Sequence, residues 1–150
     1  MSTIECVRWQ RPVPGAAIFL WRDFLRPPAA DFLLKHLLEQ VPWRQDSVRV
    51  YGKLHRLPRL QQWYGAPGTS YRWSGLTIHP RPWTKELSKA REAVQVATGR
   101  VFNSCLLNHY RNGNDTVGWH ADDEPELGDA PVIASVSLGC PRDFSLRLKS

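Results

Sequence analysis

The stretch GWHADDE at positions 118–124 gathers one imidazole and three carboxylates into seven residues. In an extended segment residues two apart share a side, so His120 and Asp122 present a ring nitrogen and a carboxylate oxygen together while Ala121 and Asp123 face away. A nitrogen and an oxygen so placed suit Fe(II) or another first-row divalent ion. The facial site of two histidines and one carboxylate leaves coordination positions open for a cosubstrate and O2. H-x-D also recurs by chance, so this spacing leaves a metal site, an acid/base pair and a solvated acidic loop all open.

The same alternation applies upstream. Asn108 and Tyr110 share a face at the end of the apolar run VFNSCLLNHY, just before the turn RNGND leads to His120. An amide and a phenol there could hydrogen-bond a carboxylate-bearing small molecule beside a metal, or simply cap the end of the strand.

The elements that must position these groups can be read from periodicity. After Pro27 and Pro28, apolar residues at Phe32, Leu33, Leu34, Leu37, Leu38 and Val41 predict an amphipathic helix that starts past the prolines. A second helix is predicted from about Trp83 to Thr98, where Leu87, Ala90, Val94 and Ala97 recur at helical spacing and Gly99 supplies a stop. The segments SVRVYG, QQWYG, TSYRWSGLTI, VFNSCLLNHY and PVIASVSLG are short, β-branched or aromatic, and bounded by turn residues, which predicts strands. In the last, Val132, Ala134, Val136 and Leu138 form one apolar face. Helices flanking many short strands give an α+β chain, mainly β, with helices packed on a sandwich or barrel.

Length and composition bound the rest. A chain of 150 residues, 42% hydrophobic, fits one domain from 1 to 150. No apolar run approaches the length of a membrane span, and the N-terminus lacks the apolar centre of a signal peptide, so a soluble, cytoplasmic protein with no membrane partner is expected. Cys6, Cys105 and Cys140 are odd in number and far apart, which argues against a disulfide framework or zinc ribbon and for buried thiols in a reducing compartment.

The net charge of +6 is unevenly spread. Residues 1–40 hold five Lys/Arg against four Asp/Glu, residues 41–90 nine against two, and residues 91–150 six against eight. In the middle third, basic residues from Arg44 to Lys85 alternate with Trp43, Tyr51, Trp63, Tyr64, Tyr71, Trp73 and Trp83. Such interleaving suits a polyanion with stackable bases, or a basic surface over an aromatic core.

The string NHYRNGNDTVGWHADDEPELGDAPVIASVSLGCPRDFSLR resembles the AlkB family of Fe(II)- and 2-oxoglutarate-dependent nucleic-acid dealkylases, whose motifs are N-x-Y, a turn, H-x-D-D-E and P-I-A-S-V-S-x-G. The likeness extends back through VRVYGKLHRLPRLQQWYG and YRWSGLTIHPRPW to about Val41, and there it is to members acting on double-stranded DNA. It implies a double-stranded β-helix, or jelly roll, with flanking N-terminal helices. A nucleotide-recognition lid would span about 41–82, and the first part of the jelly-roll core about 100–150.

By position, the resemblance makes His120 and Asp122 two iron ligands, and Asn108 and Tyr110 contacts of 2-oxoglutarate. Trp73, with Tyr71 beside it, matches an aromatic that stacks on a flipped base. Tyr51 matches a hairpin residue that fills the gap left in the duplex. Arg59 and Lys53, with Arg49 nearby, would hold phosphates or the displaced pairing region. Asp123 and Glu124 match residues that recognise the cationic bases N1-methyladenine and N3-methylcytosine. The implied reaction is decarboxylation of 2-oxoglutarate with O2 at Fe(II), hydroxylation of the N-methyl group, and release of formaldehyde and the repaired base.

The family pattern also includes a second histidine ligand and an arginine pair in strands beyond position 150, so the jelly roll is expected to lack its C-terminal strands here. His36, His55, His79 and His109 do not match the missing ligand. A chain complete at 150 residues would instead suit a non-catalytic module that binds nucleic acid or senses damage. The expected partners are DNA, with RNA as an alternative, and 2-oxoglutarate, for a protein that is monomeric if its domain is complete.

Overall fold

A computed structural model describes residues 6–8, 16–73, 76–122, 127–128 and 130–147. The chain forms two compact units, Met1–Gln40 with Ser135–Ser150, and Val41–Ala134. No helix among the described residues is long and apolar enough to cross a membrane.

The first unit contains β1 (Cys6–Arg8) paired antiparallel with β2 (Phe19–Trp21), and α1 (Pro27–Gln40). The helix begins at the prolines rather than after them. A first-turn residue has no intrahelical partner for its N–H and helical φ matches the proline ring, so both prolines are tolerated there. Leu33 and Leu37, four apart on one face, are buried, each worth roughly 1.5–3 kcal/mol relative to exposure. Gly139 lies against this helix: a Cβ there would sit 3.2 Å from Leu34 Cδ2, and its φ of +82° is one only glycine adopts without strain.

The strand predicted over PVIASVSLG does not form. Among the described residues nothing pairs with it, and Val132, Ile133 and Val136 are exposed. Apolar alternation prepares a segment for a sheet, but only a neighbouring backbone makes it a strand.

The second unit runs through β3 (Ser47–Val50), β4 (Lys53–Arg56), β5 (Leu60–Gly65), β6 (Tyr71–Trp73), β7 (Leu76–Ile78), α2 (Lys85–Thr98) and β8 (Ser104–His109). β3–β4, β6–β7 and β5–β8 pair antiparallel. β5 is the best-buried strand. One edge pairs with β8. On the other, Arg44 exchanges both backbone bonds with Gln61, and Arg81 bonds Trp63 and Gly65. With both edges engaged, β5 can bury its polar backbone at little cost. Tyr64, Ile78, Leu87, Val48 and Leu57 are buried in the same unit.

α2 starts two residues later than predicted because Thr84 is its N-cap, the hydroxyl accepting from Leu87 N at 3.2 Å. It stops where Gly99, at φ +64°, donates its N–H to the Gln95 carbonyl. Gly65 allows a close approach: a Cβ there would clash with the Thr69 hydroxyl and lie 3.1 Å from both Asn103 O and Ser104 Cβ.

The expectation of three buried thiols is corrected. Cys6, in a three-residue strand, and Cys140, outside regular structure, are exposed free thiols; Cys105, within β8, is the sheltered one. Burial pushes its pKa up to about 11.

Candidate functional site

The turn after β8 is held by Asp115. One carboxylate oxygen accepts from Arg111 N (2.9 Å) and Nε (2.7 Å), and the other from Arg111 Nη2 (2.9 Å). These bonds favour the charged guanidinium and push the Arg111 pKa up. Thr116 N then donates to the Pro58 carbonyl at 2.8 Å, tying the chain that leads to His120 beside the start of β5. Asp115 was not singled out in the sequence, although the R-x-x-x-D spacing across a turn was a usable signal.

His120 and Asp122 converge, but not by strand alternation. Residues 118–122 form no strand, and Asp122 has φ +47°, a left-handed conformation that aspartate tolerates better than most residues. His120 Nε2 lies 3.4 Å from Asp122 Oδ1. Its Nδ1 is 2.8 Å from the Gly118 carbonyl. A carbonyl only accepts, so the ring donates through Nδ1 and turns Nε2 toward the carboxylate. Nε2 and the carboxylate, so placed, can share either a proton or a metal cation.

That geometry fits a metal. Two donors each about 2.1 Å from one ion, about 90–109° apart, are separated by roughly 3.0–3.4 Å. An imidazole whose second nitrogen donates to a carbonyl is the usual arrangement around a ligating histidine. Both side chains are partly exposed, so the position is open to small molecules. Among the described residues no group of three His, Cys, Asp or Glu side chains converges. His109 points to the other face from Asn108: its ring lies 5.2 Å from that of Trp43, and its buried Nδ1 has no hydrogen-bond partner. Asp123 and Glu124 lie outside the described residues.

Asn108 stands directly opposite Gln61 in the β5–β8 register. Its Oδ1 accepts from Arg59 Nε at 2.8 Å. Arg59 Nη2 reaches Gln61 Oε1 at 3.4 Å, Gln61 Nε2 donates to Asp46 Oδ2 at 2.9 Å, and Arg44 donates to the other Asp46 oxygen. Arg59 is only 4% exposed and Gln61 2%. The expectation that Arg59 reaches phosphates is therefore corrected: its guanidinium is committed inside the protein, where a buried charge needs polar partners. Asp46 and Gln61 were missed in the sequence. The one clue was a Gln pair inside the apolar strand QQWYG. Tyr110 follows β8 and is partly buried.

The β3–β4 hairpin is very different. Tyr51 and Gly52 form its apex with φ +47° and +78°, positive at both central positions as a type I′ turn requires. Tyr51 is fully exposed, at 101%. Around it Arg49, Lys53, His55 and Arg56 are exposed, with Arg49 Nη1 donating to the Gly52 carbonyl at 2.8 Å. Tyr71 and Trp73 belong to β6, whose backbone pairs with β7; their side chains lie outside the described part of the molecule.

His120 and Asp122 thus share one short loop, and Asn108 lies on β8 of the same unit. The model of the 2OG-Fe(II) oxygenase superfamily matches residues 17–150, and the chain belongs to that superfamily. Within it the likeness is to AlkB-type proteins. The human protein named Alpha-ketoglutarate-dependent dioxygenase alkB homolog 3 is 39% identical over 139 residues, covering 92% of this chain and 48% of the relative. DNA oxidative demethylase ALKBH2 from Homo sapiens is 43% identical over 123 residues, covering 80% and 47%. The protein of that name from Arabidopsis thaliana is 39% identical over 130 residues, covering 79% and 38%. The chain spans about half the length, or less, of the curated relatives it matches.

Proposed function

We propose that this chain carries the metal, cosubstrate and base-recognition residues of an Fe(II)- and 2-oxoglutarate-dependent DNA demethylase. Its substrates would be N1-methyladenine and N3-methylcytosine, and its by-product formaldehyde. The observation that carries this reading is the convergence of His120 Nε2 and Asp122 Oδ1 at 3.4 Å, with the ring held by the Gly118 carbonyl.

In this reading His120 and Asp122 hold Fe(II), while Asn108 and Tyr110 hold 2-oxoglutarate. The bound metal, with 2-oxoglutarate and O2, supplies the oxidising power that hydroxylates the N-methyl group. The chain's own residues do the selecting. Chemistry on a base requires it to leave the duplex, so Tyr51 at the hairpin apex enters the vacated step and Trp73, with Tyr71, stacks on the extruded base. Lys53 and Arg49 hold phosphates. Asp123 and Glu124 favour the alkylated bases because these are cationic and the parent bases neutral.

Residues 41–82 then act as the recognition lid, and residues 100–150 as the first part of a jelly-roll core, within one domain. The protein works as a monomer inside the cell, where its DNA is. The test is formaldehyde release from an oligonucleotide containing N1-methyladenine, with Fe(II), ascorbate and 2-oxoglutarate, by the full protein carrying this chain. Formaldehyde in step with base repair is the expected result. Binding of the oligonucleotide without any turnover would instead identify a damage-sensing module.

A further inference from the structure

The side-chain amide of Asn108 has two different ends, and which end faces outward decides what it can bind. An amide oxygen accepts and an amide nitrogen donates; an arginine only donates and an aspartate carboxylate only accepts. These rules orient the whole buried network. Asp46 accepts from Arg44 and from Gln61 Nε2, so the Gln61 amide must turn its oxygen to Arg59. Arg59, held there at 4% exposure, points Nε at Asn108 Oδ1 at 2.8 Å. The Asn108 oxygen is thereby taken on the inside, and its Nδ2 is left to face out from an exposed position on β8.

We infer that Arg59 is a positioning residue for the cosubstrate: it fixes the Asn108 amide with its NH2 outward, as a donor matched to the oxygens of 2-oxoglutarate. The inference rests on the reading of Asn108 as a cosubstrate contact. With the amide reversed, its oxygen would meet an oxygen of an anionic ligand, and attraction would become repulsion. Charge supports the same direction. A buried guanidinium behind the amide polarises its N–H bonds and favours an anion in front of it. Gln61 and Asp46 hold the arginine in register, so the direction is set three side chains away from the ligand.

The test is a double-mutant cycle on 2-oxoglutarate affinity, measured calorimetrically on the full protein with Mn(II) in place of iron so that no turnover occurs. Arg59→Lys keeps the charge and loses the Nε–H; it is expected to weaken binding about tenfold, the value of one charge-assisted hydrogen bond. Asn108→Ala is expected to weaken it at least as much, and the double variant no further than Asn108→Ala alone. Additive losses, or an unchanged affinity in Arg59→Lys while Asn108→Ala is weakened, would overturn the positioning role and leave the cosubstrate reading standing. An unchanged affinity in Asn108→Ala would overturn both. Should Arg59→Lys fail to fold, the unaltered protein still decides: NMR should detect a through-bond coupling between Arg59 Nε and the Asn108 side-chain carbonyl, and its absence sinks the proposal.

Discussion

The β3–β4 hairpin and the β5–β8 pair are neighbours in the chain and opposites in design. The hairpin displays its cations and places a fully exposed aromatic at its apex. Beside the β5–β8 pair two charged side chains, Arg59 and Asp46, are buried and joined through Gln61, and Arg59 holds Asn108. Composition cannot separate these two uses of charge, since the hairpin's cations and the buried Arg59 and Asp46 all lie in the basic third of the sequence. What separates them is side-chain burial, and the backbone pairing differs as well. The hairpin has one partner strand for each strand, whereas β5 is engaged along both edges. Edge pairing satisfies the backbone of β5, while its side chains are buried through the faces, where polar ones such as Gln61 are mutually satisfied.

That contrast can be broken first at its buried end. Asp46→Ala removes the acceptor for Gln61 and Arg44 and is expected to cost about 3 kcal/mol, as loss of a buried, charged acceptor does. Chemical denaturation measures it, and a cost near zero would show that the network is decorative. Gly65→Ala should follow at roughly 1–3 kcal/mol, because the new methyl meets the Thr69 hydroxyl and the Asn103 backbone; a melting temperature lowered by several degrees is the check. At the hairpin the sign reverses. Tyr51→Gly relieves a left-handed non-glycine residue and should raise stability by up to about 1 kcal/mol, while weakening capture of an oligonucleotide with an extruded base. Loss of stability with unchanged DNA affinity would invert the comparison.

The smallest effect concerns Cys105. Its thiol is pushed up to about 11 from an ordinary 9.0, so it should resist iodoacetamide at pH 8 while Cys6 and Cys140 react. The folded form prefers the neutral thiol. That contribution to stability is complete below pH 9.0 and is lost as pH rises toward about 11. Mass mapping of the alkylated sites, followed by melting curves across that range, tests both halves of the statement.

Much of this was legible in the sequence. The helix over Lys85–Thr98 was written in its spacing and in Gly99, and four of the five strand segments coincide with β3 and with β5 to β8, one of them covering both β6 and β7. These signals are local, so sequence carries them. The strand over PVIASVSLG was misread because a ladder depends on a partner, which alternation cannot supply. The spacing of His120 and Asp122 anticipates that the two side chains converge but not how: a left-handed aspartate turns the carboxylate to the ring, and such a backbone state leaves little trace in composition. Arg59 was misplaced because proximity to Lys53 in sequence says nothing of its burial against Asn108 and Gln61.

The apex of the hairpin also narrows what descent can do with this protein. A left-handed φ at position 51 admits tyrosine with strain, and asparagine, aspartate or glycine more easily, but β-branched residues such as valine or isoleucine are penalised most. The residue at the tip is thus chosen twice, once by whatever it touches and once by the turn that holds it out. Across related chains, the variety tolerated there should be set as much by the backbone as by the ligand.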